Sequence, residues 1–88
     1  MSTAYFLINV KLNHESEIID KIKSILKRES IDSYEVQGVF GVYDIIVKIS
    51  ADTDERLRKI VLEKLRKIEH IESAITMMVN EEQEQILA

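Results

Sequence analysis

The 88-residue sequence contains no cysteine, no proline, no tryptophan and only two glycines, Gly38 and Gly41. Without cysteine there can be no disulfide, thiolate metal site or cysteine nucleophile. Without proline there is no polyproline linker. No apolar run is long enough to span a bilayer, and Met1 to Thr3 lack the basic residues of a signal peptide. We therefore expect a small cytoplasmic domain that does not enter the membrane.

The chain also lacks a concentration of positive charge. It carries 12 Lys and Arg against 16 Asp and Glu, for a net charge of −4, and its basic residues are interleaved with acidic ones. Because phosphate contacts require clustered cations, we expect no direct binding of nucleic acid. The hydrophobic fraction of 45% indicates a folded domain, which we assign to residues 1–80, followed by an acidic tail at 81–88.

Hydrophobic periodicity predicts six elements. Alternating residues at 4–12 predict a strand, and apolar residues at helical spacing up to Arg28 predict a helix capped by Asn13. Residues 33–38 and 43–50 predict a hairpin. A second helix follows, capped by Asp52, and residues 71–79 form the last strand. This β-α-β-β-α-β order predicts an α+β, ferredoxin-like fold: a four-stranded antiparallel sheet with both helices on one face.

The parity of side chains along each strand assigns residues to the two faces of this sheet. The residues expected beneath the helices are Phe6, Ile8, Val10, Ile45, Val47, Ile49, Ile71, Ile75, Met77 and Val79. Those expected on the opposite face are Tyr5, Leu7, Asn9, Lys11, Asp44, Ile46, Lys48, Ala74, Thr76 and Met78. The second set is too apolar for an exposed surface, so we expect a homodimer that packs sheet on sheet through Tyr5, Leu7, Ile46 and Met78.

Asp44 and Thr76 are expected at the rim of this apolar surface, beside the hairpin turn that contains both glycines. There Asp44 could accept hydrogen bonds from an ammonium group, while backbone N–H groups near Gly41 and Val42 could donate to a carboxylate. Such a site would hold a zwitterion. A lone aspartate that caps a turn is the alternative reading.

The segment Val36 to Val79 resembles the effector-binding (RAM) domain of the Lrp/AsnC transcription regulators. The resemblance rests on Gly41-Val42-Tyr43-Asp44 leading into an apolar strand, the helix ERLRKIVLEKLRKI, the connection at His70 and Ile71, and the closing strand SAITMMV with Thr76. With the first strand and helix it covers about residues 4 to 80. Full-length members carry an N-terminal helix-turn-helix domain, whereas only Met1 to Thr3 precede the first strand here, so the chain resembles a stand-alone RAM domain.

The resemblance implies a fold of the dimeric α+β barrel type, dimers that assemble into larger oligomers, and a small effector, typically an amino acid, bound between dimers. Our leading hypothesis is that such a module senses its effector without catalysis and modulates transcription by co-assembling with full-length regulators. Carried over by position, the expected ligand contacts are Gly41, Tyr43, Asp44 and Thr76. Ser73 and Ala74, just upstream of that threonine, are expected to add contacts, and Val42 is expected to contribute its backbone N–H.

Three alternatives stay open. The chain could be a purely structural oligomer without a ligand, or an ACT-like amino-acid regulatory domain, although it has no glycine after the first strand. A small dimeric barrel enzyme is the third. Against it, the only histidines, His14 and His70, fall at element junctions where exposed loop histidines are expected, and no catalytic or metal-ligand spacing is present. We therefore expect no enzymatic activity, no cofactor and no metal.

Overall fold

The computed structural model describes residues 1–31 and 33–79. These form a four-stranded sheet in the order β2-β3-β1-β4, in which every neighbouring pair is antiparallel. The elements are β1 (Ser2–Val10), α1 (Glu15–Arg28), β2 (Ser33–Gly38), β3 (Ile45–Ala51), α2 (Asp54–Glu63) and β4 (Ile71–Met78), with a 3-10 turn at Leu65–Lys67 before β4. The predicted ferredoxin-like fold is confirmed.

Each helix begins one residue later than the predicted cap implies. Asn13 adopts a left-handed backbone with φ of 69°, so His14 occupies the N-cap position of α1. Thr53 caps α2, because its Oγ1 accepts a hydrogen bond of 3.1 Å from the N–H of Arg56. The prediction of Asn13 and Asp52 as caps is therefore wrong. Asp52 instead pairs with the Arg56 guanidinium at 3.3 Å, which lowers the pKa of its carboxyl group.

The core lies between the helices and one face of the sheet. Alternate residues of β1 and β3 are buried, as their period of two requires. The helices add an apolar stripe at helical spacing. The fully buried large side chains are Phe6, Ile8, Ile18, Ile22, Leu26, Ile45, Val47, Ile49, Leu57, Val61 and Leu65.

The assignment of β4 residues to the two faces is wrong beyond Ile71. Cross-strand pairs put Ala74, Thr76 and Met78 opposite Ile8, Phe6 and Ala4, which are buried beneath the helices. Ile75 and Met77 pair with Leu7 and Tyr5 on the open face. The cause is a register shift between Asn9 and Val10: Val10 pairs with Ile71 and Asn9 with Ser73, so one extra residue, Glu72, reverses the parity of everything after it.

The predicted acidic tail at residues 81–88 lies outside the described residues, and the domain boundary at residue 80 stays a prediction. Within residues 1–31 and 33–79, neither helix has the length and apolar character needed to cross a membrane.

Candidate functional site

The connection between β2 and β3 is an exposed turn closed by a backbone hydrogen bond. The N–H of Val39 donates to the carbonyl of Asp44 at 2.8 Å. Gly41 has a φ of 150°, a backbone conformation that L side chains rarely adopt, and a Cβ there would have no atom within 4 Å. Phe40 and Val42 project into solvent from this turn, Val42 with 82% of its surface exposed. The turn therefore presents two apolar side chains around a position that requires glycine.

Asp44 ties this turn to the end of the central strand. Its N–H donates to the carbonyl of Ile8, and its Oδ2 accepts a hydrogen bond from the N–H of Val10, both at 2.9 Å. The last β1–β3 pair is Ile8 with Ile45, so the carboxylate satisfies a strand N–H that lies just past the ladder. Within residues 1–31 and 33–79, its Oδ1 makes no hydrogen bond. Asp44 is thus a turn-anchoring residue.

A groove of about 400 Å³ lies between this turn and the start of α1. Its lining residues are Glu15, Gly38, Val39, Phe40 and Asp44. Two carboxylates and an aromatic ring favour a cationic or ammonium group, because opposite charge and a ring face both attract it. No Lys or Arg of the described residues lines the groove, so the anionic end of a zwitterion would rely on backbone N–H groups or on another subunit.

The remaining predicted ligand residues occupy different positions around the sheet. Ser73 lies on the open face, where its Oγ accepts a 3.2 Å hydrogen bond from Nδ2 of Asn9. Because neighbouring strands are about 4.8 Å apart, Ser73 on β4 is roughly 10 Å across β1 from Asp44. Ala74 and Thr76 lie on the helix-covered side. The Thr76 hydroxyl is buried and lacks a hydrogen-bond partner in the part of the chain that the structure describes.

The open face of the sheet carries a contiguous apolar surface. Leu7 lies between Ile46 and Ile75, and Tyr5 lies between Lys48 and Met77. Ile75 and Met77 expose 46% and 48% of their surfaces. The Lys48 ammonium lies 5.9 Å from the centre of the Tyr5 ring. We call these five apolar residues the open-face patch: Tyr5, Leu7, Ile46, Ile75 and Met77. Met78, predicted to belong to it, packs against the core instead.

The structure brings together two histidines whose pairing has no signal in the sequence. His14 and His70 lie at element junctions, as expected, but both are half-buried and their rings stack with centroids 3.7 Å apart. Glu17 Oε2 lies 2.8 Å from Nδ1 of His14, and Glu17 Oε1 lies 3.2 Å from Nζ of Lys21. Hydrogen bonds from His14 and Lys21 lower the pKa of Glu17. A separation of 56 positions between the histidines leaves no local sequence signal for this cluster.

Comparison with known proteins gives one family. The family model of the Lrp/AsnC ligand binding domain matches residues 3–85. An uncharacterised helix-turn-helix-type transcriptional regulator of Pyrococcus furiosus is 44% identical over 45 residues, which are 51% of this chain and 30% of that regulator. The matched segment therefore spans less than a third of that relative.

Two solved structures share the fold over most of the chain. A hypothetical protein from Pyrococcus horikoshii is 30% identical, with 91% of this chain and 90% of that chain covered and a TM-score of 0.71. The AsnC protein of E. coli is 24% identical, with 99% of this chain but 54% of that chain covered and a TM-score of 0.62.

Proposed function

This chain belongs to the Lrp/AsnC ligand-binding domain family, and we propose that it senses an amino acid or a similar small zwitterion without catalysing a reaction. The effector binds at the turn between β2 and β3, and the module assembles through the open-face patch. Its regulatory output is co-assembly with full-length regulators of the same family, through the sheet face of each partner.

The observation that carries this proposal is the position of Asp44. Its backbone and Oδ2 are held by three hydrogen bonds to neighbouring segments, so the carboxylate is preorganised before any ligand arrives. Its Oδ1 has no hydrogen-bond partner among residues 1–31 and 33–79, so together with Glu15 in the same groove it offers negative charge to an ammonium group. The backbone N–H groups around Gly41 and Val42 are the proposed donors to the ligand carboxylate, with Tyr43 beside them.

A neighbouring subunit in the proposed assembly would cover the open side of this groove and add contacts to the ligand. The groove opens to solvent at Phe40, an apolar side chain that a neighbouring subunit could cover. Ser73, on the open face, is a further proposed contact once a second copy packs there. Ala74 and Thr76 point to the helix side, so a ligand held between subunits reaches them only through a change in packing.

Titration calorimetry with each of the twenty amino acids tests the effector claim. We expect at least one to bind the wild-type chain, and Asp44→Asn to weaken that binding about tenfold or more. The asparagine keeps an oxygen for the N–H of Val10 but removes the charge that pairs with the ammonium group. Glu63→Gln, an exposed charge change on α2, is the matched control and should leave the affinity within about twofold.

The absence of binding by all twenty amino acids, or equal affinity in wild type and Asp44→Asn, would reject the effector site. A structural oligomer without a ligand is the second candidate, favoured by the exposure of Ile75 and Met77 on the open face. It predicts no amino-acid binding, together with loss of assembly when the open-face patch is disrupted.

A further inference from the structure

A cluster of potential metal ligands lies at the junction of β1, α1 and β4. His14 occupies the N-cap of α1, and His70 precedes β4 with a left-handed φ of 73°. The N–H of Lys11 donates to the carbonyl of His70 at 2.9 Å, which fastens the loop after β1 to the loop before β4. Two segments far apart in sequence are therefore fixed against each other, with one histidine on each.

The three side chains converge closely enough to share one ion. One ligand atom each from His14, Glu17 and His70 can be chosen so that all three lie within 4.8 Å of one another. In a tetrahedral zinc site with bonds of 2.0–2.1 Å, ligand atoms are about 3.3 Å apart. The ligand atoms must therefore approach one another by at most about 1.5 Å. Side-chain rotations can provide this movement, because the His14 and Glu17 side chains are 34% and 45% exposed.

The donor set selects the class of ion. Two imidazole nitrogens and one carboxylate oxygen suit Zn²⁺ and its first-row neighbours, whereas Mg²⁺ and Ca²⁺ prefer oxygen ligands throughout. The exposure of the cluster leaves room for water as a fourth ligand. The positive end of the α1 dipole opposes a cation here, and the two acids of its first turn, Glu15 and Glu17, offset that effect.

We propose that His14, Glu17 and His70 form a binding site for one divalent transition-metal ion, with Zn²⁺ the best match. The ion would link the start of α1 to the start of β4 through coordinate bonds. Because the lone pair of an imidazole nitrogen lies in the ring plane, the two rings must rotate out of their stacked arrangement to share the ion, so coordination replaces the stacking and adds to the backbone hydrogen bond from Lys11 to His70. The site is distinct from the effector groove and does not depend on it. Glu15 lies between two of its ligands in sequence and lines the groove, so the two sites are neighbours.

Zinc binding to the untagged chain tests the proposal. We expect one Zn²⁺ per chain by titration calorimetry, and a rise in melting temperature of about 10 °C or more at a hundredfold excess over the dissociation constant. Co²⁺ should give the visible absorption of a tetrahedral site. His14→Asn and His70→Asn should each weaken binding about tenfold or more.

The variants are chosen to keep the fold. Asparagine is a favourable N-cap at position 14 and tolerates the left-handed backbone at position 70. Glu55→Gln, which removes an exposed charge from the first turn of α2 without removing a ligand, is the control and should retain the stoichiometry and the affinity. A wild-type chain that binds neither Zn²⁺ nor Co²⁺, or histidine variants that bind as the wild type does, would overturn the proposal.

Discussion

At the scale of single residues, Gly41 and Gly38 are the only glycines of the chain, and their surroundings differ. Gly41 has a φ of 150°, whereas Gly38 ends β2, where an added Cβ would lie 4.0 Å from Cδ1 of Ile19, an ordinary contact. The requirement for glycine is therefore conformational at Gly41 and weak at Gly38.

Alanine at the two glycines separates these cases. Gly41→Ala should lower the free energy of unfolding by about 1–3 kcal/mol, because alanine is strained in the backbone conformation that Gly41 adopts. Gly38→Ala should change it by no more than about 1 kcal/mol, and in the stabilising direction if the unfolded chain loses freedom. Urea unfolding followed by circular dichroism measures both. Equal losses would contradict the assigned turn geometry.

Features of single residues are predictable from the sequence where their chemistry is local. The Gly41 to Asp44 turn follows from glycine and aspartate preferences, and the structure adds that Asp44 bonds to Val10. The cluster of His14 with His70 could not be predicted, because it depends on two loops that only tertiary packing brings together. The predicted cap of α2 is one residue too early, because Asp52 and Thr53 both carry side-chain oxygens suited to an N-cap and only Thr53 accepts the hydrogen bond.

At the scale of elements, the register of β4 against β1 determines which β4 side chains face the helices. Met78 packs against the core, while its neighbour Met77 is 48% exposed on the open face. Periodicity alone assigned these two residues the other way round. A one-residue bulge leaves the strand pattern intact but reverses the faces, and no residue type in the segment HIESAI marks its position. The strands and helices themselves were predictable from their periods.

Two neighbouring methionines provide a matched test of this register. Met78→Ala should lower the free energy of unfolding by about 1–2 kcal/mol, less than for a fully buried methionine, and leave the assembly mass unchanged. Met77→Ala should instead raise the dissociation constant of the assembly, measured by sedimentation equilibrium. If Met77→Ala destabilised the fold and Met78→Ala weakened the assembly, the register would be wrong.

At the scale of the whole molecule, the sheet has helices on one face and the open-face patch on the other. Apolar surface removed from water contributes about 25 cal/mol per Å², so burying two copies of this patch against each other would contribute favourably to the free energy of association. A two-fold axis would bring each Leu7, with its neighbours Ile46 and Ile75, against the same face of a second chain. We propose that the functional unit contains at least two copies of the chain, paired through this patch.

Light scattering coupled to size-exclusion chromatography tests that claim most directly. The wild type should have a mass of at least twice the 10.2 kDa of one chain. Leu7→Glu should reduce it to one chain, because a charge in the centre of the patch cannot be buried unpaired. Leu62→Glu, at a 54% exposed leucine on α2, should keep the wild-type mass. A monomeric wild type, or an assembly that survives Leu7→Glu, would contradict the account.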